Sequence, residues 1–284
     1  MNYQLLDFGS GRKLERFGTW ILDRPAPSAE MTPAHPHLWE SATARYTGSR
    51  TTDGSWHPDI DQWKDASTLL SVTPADALQF NLSLSPLPSG QIGVFPEQLD
   101  NWQWIAKQAR QSESPRVLNL FGYTGGSTLA AAAAGAEVTH VDAARSMVSR
   151  ARENAQHSGL AGASIRWIVE DAVKFCQREV RRGNRYDAII LDPPSYGHGP
   201  KGEHWSITRD LPPLLELCFE LTAGRLRFIL LTCHTPQISA ADGSALLGHV
   251  LASLDTPSIE SGGLFLQTSD HRKLPSGIFA RWSQ

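Results

Sequence analysis

RVLNLFGYTGGSTL, residues 116–129, decides the fold. Its opening run, RVLNLF, is short and apolar, which suits a strand buried on both faces. A turn of small residues follows, with Gly122, Gly125 and Gly126. Thr128 to Ala136 is rich in alanine and reads as a tightly packed helix. Strand, glycine turn and helix together open an α/β unit. The rhythm then repeats. EVTHVD (137–142) predicts a second strand, and ARSMVSRARENAQHSG (144–159) a helix with a glycine stop. SIRWIVED (164–171) predicts a third strand, and AVKFCQREVRRG (172–183) a helix whose basic last turn suits its dipole. YDAIILDPP (186–194) is a fourth strand stopped by prolines, LPPLLELCFELTAG (211–224) a helix, and RFILLTC (227–233) a fifth strand. WQWIAKQAR (102–110) reads as a helix ahead of them. Strands alternating with helices predict a doubly wound, Rossmann-like, mostly parallel α/β sheet. The closing GGLFLQTSDHRKLPSGIFARW offers two strand-like runs, expected as an antiparallel pair at the sheet edge.

Residues 1–90 have another texture: turn formers and short apolar runs such as TWILD (19–23), ARY (44–46) and LQFNLSL (78–84). In the last, Leu78, Phe80, Leu82 and Leu84 alternate with polar or small residues, the period of a half-buried strand. The expected division is a small β-rich domain over 1–90, placed to recognise substrate, and the α/β domain over 91–284.

Composition narrows the class. The chain has 284 residues, enough for a well-buried core and a smaller companion. No apolar run approaches the roughly 18 residues of a membrane span, and the N-terminus lacks an export pattern. Cys176, Cys218 and Cys233 show no metal-ligand spacing, so no metal is expected and a reducing, cytoplasmic setting is. The formal net charge of −3 argues against a dedicated electrostatic nucleic-acid binder, although an enzyme can bind RNA through a local patch.

In open α/β sheets, ligands bind at the carboxyl ends of the strands. The informative residues stand there in turn. The glycine turn lets a ligand approach the backbone, and the helix behind it offers free N–H groups. It is not G-x-G-x-x-G, so a dinucleotide assignment is weak. Asp142 ends the second strand, where an acid can accept from both ribose hydroxyls of an adenosine-type cofactor or cap a helix. Asp171, after the third, can hold an adenine amino group, cap the next helix, or do both. DPPSY (192–196) fixes a carboxylate and backbone carbonyls in a rigid frame suited to a planar base. Cys233, in LTCHT (231–235), reads either as a nucleophile or as a small buried hydrophobe. His234 is its neighbour, but adjacent strand residues point to opposite faces.

Together with GVFPEQ (93–98) and VDAARSMVSRARENAQHSGL (141–160), these motifs resemble the class I S-adenosylmethionine (SAM)-dependent methyltransferases related to the bacterial large-subunit ribosomal RNA cytosine-5 methyltransferase. The resemblance runs from Gln91 to His234. It implies SAM as cofactor and RNA, specifically rRNA, as the partner. It places Phe121, Tyr123, Thr124, Gly125 and Gly126 along SAM, with Asp142 and Ala143 at its ribose and Asp171 with Ala172 at its adenine. Pro96, Glu97 and Gln98 would close over the cofactor. Asp192 and Pro193 would meet the acceptor base, Asp192 also bordering SAM, and Cys233 would be the nucleophile. Asn119 stands where such enzymes often carry aspartate, which alters the contacts near the methionine end of SAM. Residues 1–90 do not read as the RNA-binding PUA domain of the ribosomal enzyme.

Cytosine C5 is a poor nucleophile, so the resemblance implies a Cys233 thiolate adding at C6, with the base unpaired or flipped. Rival readings are methyl transfer to a protein or small molecule, a non-catalytic SAM- or RNA-binding protein with this fold, and an NAD-dependent enzyme. Arg178, Arg181, Arg182 and Arg185, and separately Arg12, Lys13 and Arg16, are either RNA-facing groups or ordinary surface charge. Trp39, Trp56, Trp63, Trp102 and Trp104 are base-stacking candidates, for which core packing is the better prior. The sequence leaves the oligomeric state open.

Overall fold

A computed structural model describes residues 2–48, 54–59, 69–73, 79–84, 86–198, 204–254 and 257–284. The chain forms two compact units. One comprises Met1–Thr73, Asn81–Leu99 and Phe265–Ser276; the other comprises Pro74–Phe80, Asp100–Leu264 and Gly277–Gln284.

In the first unit, β1 (Tyr3–Gly9), β2 (Arg12–Phe17), β3 (Trp20–Pro25), β4 (Ala44–Tyr46) and β5 (Trp56–His57) form one sheet in that order. β6 (Leu69–Val72) and β7 (Phe80–Ser83) form a separate pair. Phe80, Leu82 and Leu84 are buried, as their alternation predicts, while Leu78 lies outside the described residues. Leu5 and Phe8 pack with Ala26, Ala29, Leu266 and Leu274. The buried Asp7 accepts from the indole of Trp39 at 2.9 Å and from Arg272 at 2.8 Å. Arg12 pairs with Asp23 at 2.5 Å and Lys13 with the buried Glu15 at 3.1 Å, so both serve as structural counter-ions; Arg16 is exposed. The indole of Trp56 donates to the Leu87 carbonyl at 2.8 Å, and Trp63 lies outside the described residues.

In the second unit the elements are α1 (Leu99–Ala109), β8 (Arg116–Leu120), α2 (Gly126–Ala133), β9 (Glu137–Asp142), α3 (Arg145–His157), β10 (Ile165–Val169), α4 (Ala172–Arg181) and β11 (Ala188–Leu191). A hairpin of β12 (Tyr196–His198) and β13 (His204–Ser206) precedes α5 (Ile207–Glu220), β14 (Phe228–Cys233), α6 (Ala240–Val250), β15 (Glu260–Gln267) and β16 (Lys273–Ser283). The main sheet has the order β10-β9-β8-β11-β14-β16-β15. β8 to β11 and β14 are parallel, and β16 runs antiparallel to β14. This is the doubly wound, mostly parallel sheet that the alternating pattern predicts.

The central parallel strands are mainly apolar, as in a sheet whose two faces are covered by helices. Leu118, Leu120, Val141, Ile189, Leu191 and Leu231 share one core with Phe175 of α4 and Leu214 of α5. Asn119, His140 and Trp167 lie in register across three strands, alternating with those residues. Trp102 packs its ring edge against Phe80, and Trp104 against Phe228. Chain order reverses between β8 and β11, which opens a crevice at their carboxyl ends. Among the described residues, no helix is long and apolar enough to cross a membrane.

Candidate active site

The turn after β8 is wound tightly. Phe121 and Tyr123 take left-handed φ values of 57° and 49°, and Gly125 one of 95°. Gly122 lies against the ring of His140: a Cβ there would stand 2.4 Å from its Cε1, so only glycine fits. Beneath the turn, the amide of Asn119 donates to Thr128 Oγ1 at 2.8 Å, and Thr128 Oγ1 lies 2.9 Å from His140 Nδ1. Burial pushes the His140 imidazole down to about 3, so it stays neutral. From α3, Asn154 donates to the Thr124 carbonyl at 2.9 Å. α2 starts at Gly126 with no side-chain cap, leaving its first N–H groups for a ligand.

At the end of β9, Asp142 Oδ2 accepts the Tyr123 N–H at 2.9 Å and Oδ1 the Ala144 N–H at 2.8 Å. The carboxylate thus ties the glycine turn to the next strand. Burial raises its pKa, and the Ala144 and Tyr123 N–H bonds oppose that rise. Ala143 is half-buried beside it. Asp171 caps α4, accepting the Lys174 N–H at 2.9 Å, with Ala172 buried behind it. One of the two roles read for Asp171 is therefore present.

Across the crevice, Asp192 follows β11. Its Oδ1 accepts from Thr232 Oγ1 at 2.6 Å and lies 3.5 Å from His234 Nε2. Pro193 is buried, and the Pro194 carbonyl accepts from the Trp205 indole at 2.7 Å. Trp205 in turn packs on Phe121, ring centroids 5.0 Å apart. Ser195 Oγ and Thr235 Oγ1 are 2.6 Å apart, joining the loops after β11 and β14. Cys233 is 1% exposed and its Sγ accepts the Thr235 N–H at 3.4 Å. Burial pushes the thiol up, Thr235 lowers it, and the Asp192 charge adds to the rise.

Residues 67–242, more than half of the chain, match the S-adenosylmethionine-dependent methyltransferase family. The chain belongs to that family. A crystal structure of the SAM-dependent methyltransferase from Agrobacterium tumefaciens superposes with a TM-score of 0.89 at 35% identity, covering 100% of this chain and 90% of that one. Ribosomal RNA large subunit methyltransferase I of Aeromonas salmonicida is 33% identical over 46% of this chain and 32% of its own length. Ribosomal RNA large subunit methyltransferase K/L of the same organism is 26% identical over 62% of this chain and 22% of its own. The chain thus spans about a third or less of the length of these curated relatives.

The turn and its surroundings fit the methyltransferase cofactor, SAM. An amino-acid carboxylate needs N–H donors, which the uncapped α2 supplies, and ribose hydroxyls need an acceptor, which Asp142 supplies. The second unit brings Phe121, Tyr123, Thr124, Gly125, Gly126, Asp142 and Ala143 to one edge, with Asp192 and Cys233 on the neighbouring strands. Asn119, 2% exposed, sits below the turn. Pro96, Glu97 and Gln98 form a 3-10 turn in the first unit.

Of the four arginines at and just past the end of α4, Arg178, Arg182 and Arg185 have local partners. Arg178 pairs with Glu170 at 2.5 Å, and Arg166 and Arg182 flank the buried Glu179 at 3.5 and 3.7 Å. Arg185 donates to the Asn184 carbonyl, and Arg181 is exposed. In the sequence, His234 stands out only as the neighbour of Cys233, and Thr232 does not stand out at all. The signal was the alternation in LTCHT: Thr232 and His234 share a parity that Cys233 does not.

Proposed function

We propose that this protein transfers a methyl group from SAM to a base of large-subunit ribosomal RNA. When bound, SAM supplies an electrophilic methyl group, and the electrons of the broken bond stay on its sulfur. The observation that carries the reading is the cluster of Asp192, Thr232, Cys233 and His234 at the carboxyl ends of β11 and β14, which follow β8 in the sheet. The names of the two curated relatives support rRNA as the acceptor. Phe121, Tyr123, Thr124, Gly125, Gly126, Asp142, Ala143, Asp171 and Ala172 hold the cofactor, Asn119 supports their turn from below, and Asp192 with Pro193 meets the base. The β-rich first unit serves recognition of the RNA.

The finer reading is cytosine C5 as the methylated atom. Cys233 adds to C6 and makes C5 enamine-like, and Asp192, in its protonated form, donates to N3 as negative charge develops on the ring. A buried thiol pushed upward is protonated at neutral pH, so this route needs its proton removed as the base enters. That same observation favours a second reading, in which a nitrogen of the base attacks directly and Cys233 is a packing residue.

The test is methyl transfer from labelled SAM to rRNA from a strain lacking this protein, followed by nucleoside analysis. The expected product is 5-methylcytidine, with Cys233→Ala inactive and the wild type trapped covalently on 5-fluorocytidine RNA. An N-methylated nucleoside, made equally by Cys233→Ala, selects the second reading. Label found only in protein or metabolites rejects rRNA as the acceptor.

A further inference from the structure

We infer that His234 accepts the proton which the RNA base releases on methylation, with Asp192 as the carboxylate that steadies the resulting imidazolium. This rests on the reading of the site as an RNA-base methyltransferase centre.

The cytosine route leaves a proton to be removed, and so does the nitrogen route when the attacking atom is an exocyclic amine. A C–H or N–H becomes a C–CH3 or N–CH3, and the hydrogen departs as H+. On the cytosine route the C5–H electrons re-form the C5–C6 double bond, the C6–S bond breaks, and its pair returns to the Cys233 sulfur. On the nitrogen route the N–H pair stays on nitrogen. In each case a base must stand at the carboxyl edge of β11 and β14.

His234 stands there. β14 ends at Cys233, so His234 lies just beyond the paired strand, where the crevice opens. Its Nε2 faces Asp192 Oδ1 across 3.5 Å, and both side chains are about one-third exposed, at 34% and 31%. Asp192 is itself fixed by the buried Thr232 hydroxyl. From β16, Gly277 presses close: a Cβ there would come within 2.9 Å of His234 Nδ1 and 2.8 Å of the Cys233 carbonyl oxygen. A side chain at 277 would displace the ring, and Gly277 keeps its place with φ at 135°. Among the described residues, the ionisable groups beside the imidazole include Asp192, just past β11, and Cys233, its chain neighbour; from β16, Gly277 lies against it. A proton arriving at Nε2 lands next to a carboxylate, which favours the charged ring.

The test combines kinetics with a measurement that needs no turnover. Single-turnover methylation of rRNA at saturating SAM is followed against pH for wild type, His234→Ala and His234→Gln. The wild-type rate is expected to fall on acidification, as the ring becomes protonated beforehand. Both variants should be slower by on the order of 10²-fold, lack that acid limb, and bind SAM within twofold of wild type by calorimetry. Added imidazole should restore part of the rate to His234→Ala and none to His234→Gln. Separately, the NMR titration midpoint of His234 should move to lower pH in Asp192→Asn. Variants within twofold of wild type with the acid limb intact, or a midpoint indifferent to Asp192→Asn, would overturn the inference while leaving the methyltransferase reading standing. A wild type that methylates no rRNA would overturn that reading and take this inference with it.

Discussion

Thr232 and Asp192 meet across two parallel strands, with the hydroxyl donating to Oδ1 at 2.6 Å. The hydroxyl belongs to a residue only 2% exposed, while the carboxylate side chain is 31% exposed. A buried group therefore aims a group that a ligand can reach. Thr232→Val keeps the shape and removes the donor. A hydrogen bond to a charged group contributes about 1.5–3 kcal/mol. If part of that is felt in the transition state, methyl transfer falls roughly 10-fold. Single-turnover rates should show this with SAM affinity unchanged, and Thr232→Ser should recover most of the loss.

Asp142 predicts how SAM binding depends on pH. Burial holds its carboxyl above the ordinary value of 3.8. In the binding mode proposed above, ribose hydroxyls donate to the ionised form, so binding would pull that pKa back down. Affinity must then weaken as pH falls through the raised value of the free protein. Calorimetry across the acid range should find this slope in wild type. Asp142→Asn should bind SAM on the order of 10-fold to 100-fold more weakly, from the loss of charge-assisted bonds, and show no such slope.

Gly122→Ala should be costly for a reason unrelated to chemistry. The new Cβ would stand 2.4 Å from His140 Cε1, in a ring that is fully buried. Overpacking of this kind costs about 1–3 kcal/mol. Gly162→Ala meets nothing within 4 Å and serves as the control. Thermal or denaturant unfolding should separate the two.

His140 adds a pH dependence to stability. Its folded pKa is pushed down to about 3 by burial, against 6.5 for the free side chain. A depressed histidine gives its stability above the unfolded value. That stability is lost as pH falls from about 6.5 toward about 3, because unfolding then takes up a proton. The slope from this group approaches about 1.4 kcal/mol per pH unit inside that window. His140→Gln should be less stable at pH 7 and show a flatter decline on acidification.

The sheet was legible because its order is written locally. Most buried strands are short, mainly apolar runs, and β8 to β11 each end in, or are followed within two residues by, a glycine or an acid. Asp142, Asp171 and Asp192 stand at those ends in sequence and in structure. Other features depend on contacts between distant segments. The charged pattern of RKLERF hides β2, since its lysine and glutamate are satisfied as a pair within the sheet. LPPLLELCFELTAG marked α5 too late: the helix begins at Ile207, and its prolines fall inside it. Nothing in GGLFLQTSDHRKLPSG signals that Phe265–Ser276 belongs to the first unit, where Arg272 reaches Asp7 at 2.8 Å across 265 residues of chain. The meeting of Asp192 with His234 is of the same kind, set by β11 lying beside β14.

The most direct measurement is a crystal structure of the protein with S-adenosylhomocysteine. The ribose hydroxyls should lie on the Asp142 carboxylate and the amino-acid carboxylate at the start of α2, with Asp192 and His234 bordering the sulfur side. A ligand bound elsewhere, with Asp142 still occupied only by the Tyr123 and Ala144 N–H groups, would contradict the account.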